Sequence, residues 1–217
     1  MNNDRCKLPR VVTTYTRWVA LFICAITTAN CGLNTPYPSR ALYTLNVDPP
    51  VPATPPHEQK DVTLRIRRIV AVAPFNGQAF VYRMSANSIR TDYYNTFAAP
   101  PADLVTSELV QWLRASKLFT AVVDSGATLH HQWVLEGRIQ DLSIDMSNPA
   151  KAQAVVTMQM LLLDDSSAVP RVLFDKSYTE RAPITSADPV SASAGWSITC
   201  GRVFNRIADD LSGVSLP

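Results

Sequence analysis

Apolar residues recur at every second position through several stretches of the chain, the spacing of strands buried on one face. Residues 42–47 alternate, with Tyr43, Leu45 and Val47 on one side, and residues 62–67 alternate with Val62, Leu64 and Ile66 inside. Residues 69–73 are apolar throughout, which predicts a more fully buried strand stopped by Pro74. Tyr82-Arg83 and residues 89–94 predict short strands or a hairpin. Residues 132–145, 154–163 and 172–180 predict three more strands; in the second, Val156, Met158, Met160 and Leu162 share a face. Two methionines at strand period argue for core packing rather than thioether metal ligation.

Two segments carry the helical period instead. Residues 101–117 place Val105, Leu109, Trp112 and Leu113 on one stripe, with Pro101 suited to the first turn. Residues 188–212 place Trp196, Cys200, Val203, Ile207 and Leu211 on a seam, and Gly213 is the expected stop. Cys200 lies within that seam and reads as a buried, inert thiol. Strands, helix, strands, helix is the order of an α+β fold. The expectation is a two-layer domain, a mostly antiparallel sheet with two helices packed on one face.

The chain begins differently. Residues 1–17 carry Arg5, Lys7, Arg10 and Arg17 against Asp4, followed by the apolar run 18–26 and the small or polar residues 27–30 before Cys31. This is the tripartite layout of a secretory signal. The apolar run is shorter than the roughly 20 residues that a spanning helix requires. Residues 1–30 are thus read as a lipoprotein-type signal peptide cut between Asn30 and Cys31, an uncleaved N-terminal anchor being the other reading. Residues 31–40, with Pro36 and Pro38, form a tether, and residues 41–217 a single domain. A Pro-rich loop at 48–60, with Pro49, Pro50, Pro52, Pro55 and Pro56, favours extended polyproline backbone and reads as a spacer between strands.

Composition narrows the function classes. Lys and Arg number 20 against 18 acids, which gives no support for a nucleic-acid partner. The leader holds four of the basic residues and one acid, leaving 16 against 17, so the slight basicity belongs to the signal. Four cysteines and three histidines are too few and too scattered for a structural zinc framework. No G-x-S-x-G, H-E-x-x-H, C-x-x-C or P-loop is present, so neither an enzyme nor a cofactor is expected. His130 and His131, adjacent on a strand, would point to opposite faces. Asp164-Asp165 before Ser166-Ser167 reads as a turn. Asp141 and Asp145 share a strand face; that spacing could build a paired-acid site, but two solvated carboxylates are the simpler reading.

The order of these features resembles the ABC-type transport auxiliary lipoproteins, the PqiC-like group associated with MCE-domain lipid transporters. The resemblance runs through Ala41-Leu42-Tyr43-Thr44-Leu45, residues 69–74, Tyr82-Arg83, Tyr93-Tyr94, the first helix with residues 117–123, residues 133–139, the strand after them and the C-terminal helix. Phe97 stands where that family usually has Trp. Thr28 and Asn30 depart from its lipobox, in which the cysteine is acylated. The resemblance implies lipidation at Cys31 and, with Gly32 following, sorting to the outer membrane. It implies a non-catalytic periplasmic accessory whose partner is an MCE-domain protein, and it is compatible with a homo-oligomer. The alternative is a lipoprotein that assists assembly of a secretion or outer-membrane complex without handling lipid. Tyr82, Arg83, Tyr93 and Tyr94 are the candidate partner-binding residues, because Tyr and Arg are favoured interface anchors. The competing reading has these tyrosines packing the sheet edge.

Overall fold

The computed structural model describes residues 39–50 and 58–215. The signal, the cleavage position, Cys31, most of the tether and the middle of the Pro-rich loop with His57 lie outside the described residues. The elements are β1 (Ala41–Tyr43), β2 (Lys60–Ile66), β3 (Val70–Ala71), β4 (Ala79–Ser85), β5 (Ser88–Phe97), α1 (Pro101–Ser116), β6 (Phe119–Val123), β7 (Trp133–Asp145), β8 (Gln153–Asp164), β9 (Arg171–Pro183) and α2 (Pro189–Gly213).

Strand β7 organises the sheet. One of its edges pairs antiparallel with β8 along its whole length, and β8 pairs in the same way with β9. The other edge is divided among three short parallel strands. Leu64, Arg65 and Ile66 of β2 meet Trp133, Val134 and Leu135. Val70 and Ala71 of β3 meet Arg138 and Ile139, and Tyr82 and Arg83 of β4 meet Ile144 and Asp145. Beyond β2 lies β6, parallel; beyond β4 lie antiparallel β5 and then parallel β1. The result is a curled mixed sheet whose longest ladders are antiparallel, in an α+β fold.

Both helices take their ends from local chemistry. Pro101 fills the first turn of α1, where its missing N–H has no partner to lose. The Asp188 carboxylate caps α2 by accepting from the backbone N–H groups of Val190 and Ser191 at 2.9 and 3.0 Å. The predicted seam of α2 is fully buried at Trp196, Cys200, Val203, Ile207 and Leu211. It meets the inward face of β8, where Ala154, Val156, Met158, Met160 and Leu162 are all fully buried. Trp196 sits at the centre, 4.7 Å from the Phe80 ring and 5.1 Å from Phe97, and its Nε1 donates to the Ser143 carbonyl at 3.1 Å. Phe97 thus belongs to this aromatic cluster.

The opposite face of the sheet carries cross-strand polar pairs, Thr157 with Thr179 at 3.0 Å and Gln159 with Asp175 at 2.9 Å. Among the described residues β9 pairs with β8 alone. Its free edge is partly covered from α2. Arg202 Nη1 donates to the Arg181 carbonyl at 2.7 Å, and Arg206 Nη1, held by Glu180, reaches the Thr179 carbonyl at 3.4 Å. Occupied acceptors of this kind blunt a strand edge against pairing with another chain.

Three local expectations are corrected. The alternation over 42–47 gives only a three-residue strand, because the chain then leaves the sheet and runs beside α2. There Ser193 Oγ donates to the Thr44 carbonyl, Ser197 Oγ accepts from Asn46 N–H, and Glu108 accepts from Val47 N–H. The apolar run 69–73 yields only β3, with Ile69 buried and Val70 52% exposed on the solvent face. Gly213 is the last residue of α2 rather than the residue beyond it, and the cap is Val214 in extended conformation.

Two outcomes follow from this packing. A Cβ on Gly195 would lie 2.7 Å from Ile184 Cγ2 and 2.8 Å from Ala154 Cβ. Gly195→Ala gains about 1 kcal/mol of helix propensity, but overpacking of about 1–3 kcal/mol opposes it. The melting temperature should therefore fall, by a few degrees, in a thermal denaturation experiment. Burial pushes the Cys200 thiol up to about 12, with the Glu108 charge adding to it. Cys200 should not react with an aromatic disulfide reagent at neutral pH in the native protein and should react fully once denaturant unfolds it.

Candidate interface at the β4–β5 hairpin

The four residues singled out from the sequence lie on adjacent strands, yet they do different things. Neighbours along a strand point to opposite faces, and this separates Tyr82 from Arg83. Tyr82 is 5% exposed and belongs to the core. Its phenol is pushed up to about 12, chiefly by burial and then by the Asp92 charge. Arg90 sits 5.5 Å from its ring centroid and closes it off from the hairpin side.

Arg83 points to the solvent face and reaches across to β7. Its Nη2 donates to Asp141 Oδ2 at 2.7 Å, and both side chains are less than one-third exposed. Asp141 Oδ1 has no partner, nor does the neighbouring buried Ser143 Oγ. Asp145, next along the same face, is paired with Arg181 at 3.2 Å. Ser147, through its hydroxyl and its backbone N–H, together with Arg181 holds the Asp145 carboxyl below the usual carboxylate range against the opposing effect of burial. The two acids are thus ion-paired rather than simply solvated, each to a different arginine.

Tyr93 and Tyr94 are the exposed half of the set. Tyr93 is 70% exposed, Tyr94 half-buried, and their rings meet edge-to-face at 5.2 Å. Asp92 fixes the backbone beneath them, accepting from the N–H groups of Tyr94 and Asn95 at 2.9 and 3.0 Å and from Asn95 Nδ2 at 2.8 Å. Burial alone would raise the Asp92 carboxyl, but these bonds from Asn95 and Tyr94 bring it below its ordinary value.

Sequence reasoning missed the residues around this pair. The Arg40 guanidinium stands 5.6 Å from the Tyr93 ring centroid, where the chain arrives at β1. Leu42 is 67% exposed; the alternation that turns Tyr43 inward would have flagged it. Met84 and Ile89, on either side of the hairpin turn, are exposed as well. Leu42 also lines a groove of about 700 Å³ with Thr44, Val190, Ala194 and Ile198, between the 42–49 segment and α2.

Among the described residues no group of three or more His, Cys, Asp or Glu is placed to hold a metal ion. His131 pairs with Asp165 at 3.3 Å, and Asp164 accepts from the Ser166 N–H, the expected turn.

The family model described as ABC-type transport auxiliary lipoprotein component matches residues 43–208. Protein XCC0632 from Xanthomonas campestris superposes with a TM-score of 0.71 at 17% identity, over 80% of this chain and 96% of that one. An uncharacterized protein superposes at 0.60 with 13% identity, over 80% and 99% of the two chains. Hypothetical protein CT253 from Chlamydia trachomatis superposes at 0.52 with 9% identity, over 71% and 98%. At these identities the likeness is one of fold. No curated protein matches the chain.

Removing the Arg83 guanidinium should leave Asp141 with neither carboxylate oxygen satisfied. Arg83→Ala is expected to lose about 1–2 kcal/mol and several degrees of melting temperature. An unchanged melting curve would return Arg83 to the exposed interface.

Proposed function

The chain belongs to the family of ABC-type transport auxiliary lipoprotein components, and from that premise we propose that it is an outer-membrane-anchored periplasmic lipoprotein. In this reading it is a non-catalytic accessory subunit of an ABC-type intermembrane lipid transporter whose partner is an MCE-domain protein. The supporting observation is the extent of the family match, which runs from β1 to within the last turns of α2 and so takes in every layer of the domain. The anchor is the acylated Cys31, released by cleavage after Asn30. Two features of the described residues agree with an accessory role. The Trp196 indole N–H is engaged by the Ser143 carbonyl, and the solvent-face acids Asp141 and Asp145 are tied to arginines.

A partner of this kind is identified by recovery rather than by turnover. Chemical crosslinking in intact cells, followed by pull-down of the tagged protein from detergent-solubilised membranes, should recover an MCE-domain protein. Recovery of secretion or β-barrel assembly components instead would replace the transport reading with the assembly one. In the same cells Cys31→Ser should lose incorporation of a fatty-acid label. The native protein should resist extraction by salt, since several acyl chains hold a protein firmly where one holds it marginally. Equal labelling of the variant would remove Cys31 as the acylated residue.

A further inference from the structure

One end of the domain gathers exposed apolar side chains and two arginines set against aromatic rings. The strand register defines that end. β1 runs parallel to β5 with Ala41 opposite Asn95, so the chain arrives from the side of Tyr93. Backward along β5 from Tyr93 lie Arg90, Ile89 and the hairpin turn to Met84. β4 places its Arg83 opposite Asp145, the last residue of β7. The start of α2 is at the same end, because Gly195 packs on Ala154 and Ala154 pairs with Ile144. Leu42, Tyr93 and Val190 are each about two-thirds exposed here, and Ile89 nearly half.

The acids of this end keep their charge but are engaged within the protein, and Asp92 also feels the Arg90 charge. Asp92 is turned onto the N–H groups of Tyr94 and Asn95, Asp188 onto those of Val190 and Ser191, Asp145 onto Arg181. Arg40 and Arg90 have aromatic rings beside them and, among the described residues, no carboxylate within ion-pair distance. Exposed Tyr, apolar side chains and ring-backed arginines together are the composition of a protein face at the headgroup level of a bilayer.

We propose that this end is the membrane-facing surface of the protein and that it rests on a bilayer containing anionic lipid. Leu42, Ile89 and Tyr93 contact the acyl–headgroup boundary, and Arg40 and Arg90 pair with lipid phosphates. The inference rests on the anchoring reading above: eight residues lie between Cys31 and Arg40, and nine residue steps of fully extended chain span only about 30 Å. An acylated Cys31 would hold this end, rather than the opposite one, within reach of the bilayer. The opposite end, with the β8–β9 loop and Val169, then faces away from it.

The test uses the acylated protein in vesicles, with an environment-sensitive fluorophore on Ile89→Cys or, separately, on Val169→Cys. Acylation blocks Cys31 and burial protects Cys200, so the introduced thiol is the one labelled. On phosphatidylglycerol-containing vesicles the Ile89 probe should shift to apolar emission and the Val169 probe should not. The shift should be weaker on phosphatidylcholine alone and should be reversed by salt, as screening shortens from about 10 Å at 0.1 M to about 3 Å at 1 M. Arg40→Glu combined with Arg90→Glu should raise the anionic lipid needed for half the shift roughly tenfold.

Retention on vesicles in high salt reports the anchor separately. Retained protein with a silent Ile89 probe overturns the surface proposal while the anchor stands. Unretained protein whose Ile89 probe still responds to anionic vesicles supports the surface and removes the anchor. Loss of both overturns both. A shift at Val169 in place of Ile89 inverts the orientation and overturns the proposal. So does an Ile89 shift that requires solubilised membrane protein rather than lipid, which would make the surface a protein interface.

Discussion

The fold depends on a single strand doing two jobs. One edge of β7 is committed for its whole length to β8. The other must be completed by three short parallel strands arriving from different parts of the chain. Every strand twists with the same hand, so three successive partners on a thirteen-residue edge fan outward and the sheet curls. The hollow of that curl receives α1 and α2. Trp196 fixes how deep α2 sits, because its indole N–H takes the Ser143 carbonyl within β7 while Phe80 and Phe97 enclose the ring. Gly195, immediately before it, permits the approach: the helix backbone comes close enough to β8 that a methyl group there would meet Ala154. Sheet curvature, helix depth and a glycine beside a tryptophan are aspects of one constraint.

The long elements were legible in the sequence, since each repeats its period often enough to define a face. The seam of α2 has five members, all buried as read, and β8 has five inward residues in strict alternation. Short elements were not. Residues 42–47 alternate as well as β8 does, but their partner after Tyr43 is a helix rather than a strand. The hydroxyls of Ser193 and Ser197, far along the chain, decide this, and no local pattern encodes it. The run 69–73 failed in a related way, since strand pairing with β7 covers only Val70 and Ala71, and one further bond from the Val72 N–H to the Ile139 carbonyl ends it. Of the four candidate interface residues, alternation places Tyr82 and Arg83 on opposite faces. It cannot say which is inward until β4 is known to lie against Ile144 and Asp145.

The two faces of the sheet are stabilised differently. The inner face buries Val156, Met158, Met160 and Leu162 against the helices. The outer face is tied by polar pairs across β7, β8 and β9, and such exposed pairs contribute modestly while fixing register. Tyr178 joins the faces at the margin. Its ring is buried, and its hydroxyl donates to Asp210 of α2 at 2.7 Å, beside the Lys176 ammonium at 2.7 Å from the other oxygen. Burial, followed by the Asp210 bond and charge, raises the Tyr178 phenol. Asp210 is lowered, as Lys176 and Tyr178 outweigh its own burial. A lowered carboxylate contributes stability above its unfolded value and loses it as pH falls through the folded one. The C-terminal half of α2 is therefore secured to β9 at neutral pH and is loosened in acid.

The way the chain joins β1 has a mechanical meaning. β1 is parallel to β5, and its backbone continues past Tyr43 into a segment clamped by Ser193, Ser197 and Glu108. A pull applied at Arg40 along the strand loads the β1–β5 ladder in shear, with its bonds sharing the force, rather than peeling them one at a time. Force that passes the ladder is delivered to α2 and α1, the two helices seated on the core. The entry into β1 thus behaves as a strain-relief clamp. Tension applied at Arg40 is spread over a sheet edge and two helices before it reaches the packing around Trp196.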